Sequence, residues 1–70
     1  MSVAKNIEIS CTSAKSFDDA IKSGIQRASQ TIKNIRGAWV KEQKINVSDG
    51  NVTEYSVTMI VTFVLEDQAA

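Results

Sequence analysis

The strongest constraint on this chain is the alternating run near its C-terminal end, "VTEYSVTMIVTFVL", from Val52 to Leu65. In an extended chain Tyr55, Val57, Met59, Val61, Phe63 and Leu65 share one face, and Glu54, Ser56, Thr58, Ile60, Thr62 and Val64 share the other. At about 3.3 Å per residue the strand is roughly 46 Å long. That is far beyond the usual strand of about 5–6 residues.

Only one segment has the helical period needed to cover it. Phe17, Ala20, Ile21, Gly24, Ile25, Ala28 and Ile32 recur at steps of three and four, while Lys22, Gln26, Arg27 and Gln30 face away. Ser16 followed by Asp19 reads as a capping box, so the helix is expected to start at Phe17. It should run about four turns, or roughly 24 Å at 1.5 Å per residue. Gly24 and Ala28 are small enough to let it approach a sheet closely, although glycine lowers helix propensity by about 1 kcal/mol relative to alanine. A helix of this length leaves much of the strand bare, and part of that strand must meet another copy of the chain.

The remaining segments also read as strands. From Val3 to Thr12, Ile7, Ile9 and Cys11 alternate with Asn6, Glu8 and Ser10. A second strand-like stretch runs from after Asn34 to about Val47, and Asp49-Gly50 separates it from the last strand with the residue pair that tight hairpins favour. The fold class is therefore α+β in the order β-α-β-β: a three-stranded antiparallel sheet partly wrapping one helix, in a single domain spanning residues 1–70. The sheet face turned away from the helix carries Trp39, Ile60 and Val64, and partners or ligands are expected there, because a contiguous apolar patch left wet is a liability.

Length and charge narrow the functions. A chain of 70 residues builds a core worth only about 3–5 kcal/mol unless something else supports it. The lone Cys11 closes no internal disulfide, and the absence of histidine removes the usual zinc sites, which leaves self-association. Eight basic residues balance eight acidic ones, so nothing draws the chain to nucleic acid or to an anionic membrane. The N-terminal "MSVAKNIEIS" lacks the apolar core of a secretion signal, and no apolar run reaches the roughly 20 residues of a membrane span. A cytoplasmic location is expected, where a reduced Cys11 is unremarkable. With no histidine, no base near Cys11 and no glycine-rich phosphate loop, the sequence does not read as an enzyme.

Three stretches in this order and spacing resemble the dodecin family: "TSAKSFDDAI" at the start of the helix, "RASQTIKNIR" at its end and "DGNVTEYSVTMIVTFVLED" in the last strand. The resemblance covers nearly the whole chain. It implies twelve copies forming a hollow shell, with flavins (riboflavin or FMN) stored in pockets between subunits rather than turned over. In the flavin-binding members a tryptophan at the start of the second strand stacks on the ring, and a glutamine in the third strand bonds its polar edge. Aligned on the N-I-R and EY-V frames, Gly37 stands at the tryptophan position and Ser56 at the glutamine position. Both characteristic side chains are missing.

Trp39, the one tryptophan of the chain, lies two residues beyond Gly37 and so points to the same face, displaced by about 6.6 Å. It is either a displaced stacking platform, with Gly37 leaving room for a ring, or an aromatic filler of a subunit interface. Ser56 and Thr58 face the same way and are candidate hydrogen-bond partners of a ring or phosphate. Arg36, Lys41 and Lys44 can contact an anion or form rim ion pairs. The candidate ligand contacts are thus Trp39, Gly37, Ser56, Arg36 and Thr58, for a small planar ligand with flavin leading. No metal ligand set is assigned. The alternative is a shell without flavin, structural or binding an ion such as calcium, with carboxylates among Asp18, Asp19, Glu42, Asp49, Glu54 and Glu66 converging from several copies. Helix capping is the simpler reading of Asp18 and Asp19.

Overall fold

The computed structural model describes residues 2–65. It has strand β1 (Val3–Ser13), helix α1 (Phe17–Ala28), strand β2 (Ile35–Ser48) and strand β3 (Asn51–Leu65), in the order β-α-β-β. The carboxylate candidate Glu66 lies outside the described residues.

β1 alternates as its sequence requires, with Ile7, Ile9 and Cys11 turned inward and Asn6, Glu8 and Ser10 exposed. The chain leaves it through small hydroxyl residues that organise the start of α1. Ser16 is the N-cap, and its Oγ accepts the Asp19 N–H at 2.9 Å. The Asp19 carboxylate does not return to the backbone of the cap, as a full capping box would have it. It accepts instead from the Ser13 Oγ at 2.7 Å, while that same Oγ accepts the Lys15 N–H at 2.9 Å. Asp18 pairs with Lys22 one turn on at 3.1 Å. Capping and local pairing account for both aspartates.

α1 is shorter than its apolar stripe suggests. It ends at Ala28, within 12 residues, or about 18 Å of helix. Beyond it the Gln30 and Thr31 N–H groups bond to Arg27 and Ala28 in tighter turns, while Ile32 still donates to the Ala28 carbonyl at 2.9 Å. Ile32 thus stays in phase with the stripe without belonging to the helix. Asn34, at φ 64, then swings the chain into β2, and its carbonyl accepts the Val64 N–H at 3.0 Å.

The sheet order is β1-β3-β2, with both pairs antiparallel and the longest strand central. Asp49 (φ 52) and Gly50 (φ 79) make the tight turn between β2 and β3, with the two successive positive φ angles that a type I′ hairpin needs. Ala20, Val57, Met59 and Val61 are fully buried, and Ile9, Phe17, Ile21 and Ile25 pack around them. Phe17 meets Tyr55 edge to face at 5.2 Å. Gly24 lies on Cys11 so closely that a Cβ there would stand 2.2 Å from the sulfur.

α1 packs on β1 and β3 and leaves β2 uncovered. The molecule is consequently long and thin, 57 × 19 × 13 Å, with a radius of gyration of 14.8 Å; a compact domain of this length would have about 11 Å. On the helix side of β2, Val40 stands opposite Met59 and Ile45 opposite Tyr55, yet they remain 40% and 44% exposed. Among the described residues no helix is long and apolar enough to cross a membrane.

Candidate functional site

The outer face of the sheet, away from α1, is organised in rows set by strand register. Glu8, Ile60 and Trp39 form one row across β1, β3 and β2. On one side of it Asn6, Thr62 and Gly37 form the next, tied by a 2.7 Å hydrogen bond from the Thr62 hydroxyl to Asn6. On the other side come Ser10, Thr58 and Glu42, then Thr12, Ser56 and Lys44. Rows follow at about 6.6 Å along the strands.

Trp39 and Gly37 do share one face, in adjacent rows. The indole is 53% exposed. A Cβ built at Gly37 would meet nothing within 4 Å, so the space beside the indole is open to a planar group. Half-buried Ile60 is the floor next to Trp39. Thr58 lies one row away, whereas Ser56 lies two rows away, about 13 Å along β3, and does not meet the indole within one chain. Arg36 falls in the register shift between Ile35 and Gly37, exposed and without a ladder partner. The candidates therefore form an aromatic end (Gly37, Trp39) and a hydroxyl end (Ser56, Thr58). A shallow trough of ≈ 180 Å³ at the hydroxyl end is lined by Ser10, Thr12, Ser56, Thr58, Glu42 and Lys44.

A feature that alternation alone does not reveal is the bulge between Val40 and Glu42, which leaves Lys41 without a ladder partner. The Lys41 ammonium reaches across β3 to the Glu8 carboxylate at 3.0 Å, tying the two edge strands together. Of the basic residues considered for anion contact, Lys41 is thus engaged in an ion pair. Glu8 was readable as an outward residue of β1, but its partner was not, because a bulge has no reliable sequence signature here.

Burial raises the Cys11 thiol above the ordinary cysteine range. A thiol held protonated against Gly24 is a packing group and a poor nucleophile. Among the described residues no group of three or more acidic or thiol side chains converges as a metal site within one chain.

These observations define a class: single-helix proteins with an open three-stranded sheet whose outer face, mixed polar and apolar, is left available. The dodecin family model matches residues 3–66, and the chain belongs to the dodecin family. It is 32% identical to the dodecin of Thermus thermophilus over 93% of this chain and 94% of that protein. It is 36% identical to the calcium dodecin of Mycobacterium tuberculosis over 90% of this chain and 89% of that protein. A crystal structure from Thermus thermophilus superposes with a TM-score of 0.91 at 31% identity, covering 97% of this chain and 100% of that one. The dodecin of Streptomyces davaonensis gives 0.89 at 36% identity, covering 94% and 97%. The calcium dodecin structure, described as having a novel calcium-binding site, gives 0.78 at 32% identity, covering 97% of each chain.

Proposed function

We propose that the protein is a homo-oligomeric shell of twelve copies that sequesters a small planar ligand, with riboflavin or FMN leading, in pockets between subunits. The observation that carries the ligand reading is the half-exposed Trp39 beside an apolar floor and an open Gly37. Self-association follows from the uncovered apolar side chains on both faces of β2, which the single helix cannot reach. A flavin bound here would supply an electron-accepting ring whose excited state a stacked indole quenches. The chain's own part is to stack the ring on Trp39, seat it on Ile60 and keep water from both. This is storage, with no bond made or broken and no enzymatic step, and a cytoplasmic setting suits it.

Titration of riboflavin with the purified protein, followed by flavin emission, tests this reading. Saturable quenching is expected. Unchanged emission at high protein concentration would refute it.

The calcium dodecin relative supports a second reading, an ion-binding shell. With no converging carboxylates in one chain among the described residues, such a site would need acidic groups from several copies. Calcium that raises the unfolding temperature in a saturable manner, where magnesium does not, would favour it.

A further inference from the structure

The flavin reading leaves the polar edge of the ring without a partner, since Ser56 is two rows from Trp39 and carries no amide. We infer that the Lys41–Glu8 ion pair recognises that edge. The inference rests on the flavin reading and adds to it the residues that set specificity.

Three observations support it. Glu8 and Trp39 flank Ile60 in one row, so a ring lying over Ile60 with one end against the indole has its other end at the carboxylate, roughly 9–10 Å away at two strand spacings. Lys41 is brought to the same place by the Val40/Glu42 register shift, and bulges are a known means of re-aiming a side chain beside a site. Its contact spans β3 between strands that do not pair with each other. An ordinary rim pair joins neighbours; this one reaches over the centre of the outer face.

The chemistry matches. Lysine has three N–H donors and uses one on Glu8, while the Glu8 carboxylate keeps acceptor capacity. Both side chains remain about half exposed, at 56% and 52%. Side by side, they offer a charged donor and a charged acceptor, the same pattern as the amide of a glutamine. The ring edge of a flavin has an N–H between two carbonyls. The ammonium donates to a carbonyl and the carboxylate accepts from the N–H, and such charge-assisted bonds are stronger than neutral ones.

The test compares riboflavin with 3-methylriboflavin, which lacks that N–H, on the full-length protein and its Glu8→Ala, Lys41→Met and Lys41→Arg variants. Wild type should bind riboflavin at least tenfold more tightly than the methylated compound. That ratio should fall below threefold in Glu8→Ala and Lys41→Met, and Lys41→Arg should largely keep it. If wild type binds riboflavin and the ratio is the same in all variants, the ion-pair inference fails and the flavin reading stands. If wild type binds neither compound, both fail. Should either of the other variants fail to assemble, Glu8→Gln, which keeps the side chain's shape but not its charge, decides the matter: its ratio should fall below that of wild type, and an unchanged ratio overturns the inference.

Discussion

Replacing Gly24 by alanine sets two effects against each other. In an exposed helix the change would stabilise by about 1 kcal/mol through propensity. Here the new methyl would stand 2.2 Å from the Cys11 sulfur, 3.1 Å from its Cβ and 3.3 Å from the end of Met59. Methionine can yield, but the cysteine side chain is short and its own Cβ is already too close, so α1 must move off β1. Overpacking of this kind costs about 1–3 kcal/mol. With the propensity gain subtracted, we expect a net loss of up to about 2 kcal/mol, each kcal/mol lowering the midpoint by about 4–8 °C at this size. Thermal unfolding at one fixed protein concentration measures it, since an assembly's midpoint depends on concentration. Cys11→Ala removes the sulfur and leaves only the tight 3.1 Å contact with its Cβ. Most of the clash should thus be relieved, and the double variant should come close to or exceed Cys11→Ala alone, with a coupling of about 1 kcal/mol or more. A Gly24→Ala protein more stable than wild type would refute the close-packing argument.

Other perturbations have equally definite outcomes. Gly50→Ala places a Cβ at φ 79 and should cost about 1–2 kcal/mol in the same unfolding assay. Because burial raises the Cys11 thiol in the folded state, its stabilising contribution is complete below the unfolded thiol pKa of about 8.5 and is lost as pH rises through the higher folded value. Wild type should therefore weaken with alkali more steeply than Cys11→Ala. Trp39→Ala should weaken riboflavin binding about two- to tenfold from lost stacking worth about 0.5–1.5 kcal/mol, and more if the floor collapses. Full affinity in that variant would make the indole interface filler. Static light scattering should give a mass several times that of one chain; a monomer would undermine any pocket between subunits.

Much of the fold was legible because two local signals were unambiguous. Alternation from Val52 to Leu65 fixed which side chains of β3 face the helix, and Asp49-Gly50 placed the turn. The helix end was less legible: Ile32 keeps the apolar phase through one bond to Ala28, so periodicity outlasts the helix. At the site, parity placed Trp39, Gly37, Ser56 and Thr58 on one face, but parity carries no distance, and Ser56 proved to be two rows from the indole. The Lys41–Glu8 contact was not legible, since it depends on an unsignalled bulge and on β3 entering between two strands distant in sequence.

Trp39 is the one tryptophan of the chain, so its emission has a single source. Following that emission while riboflavin is added tests most directly whether the indole is the stacking surface. We expect quenching that saturates as binding does. Tryptophan emission that stays constant while riboflavin demonstrably binds would place the ligand elsewhere and contradict the site described above.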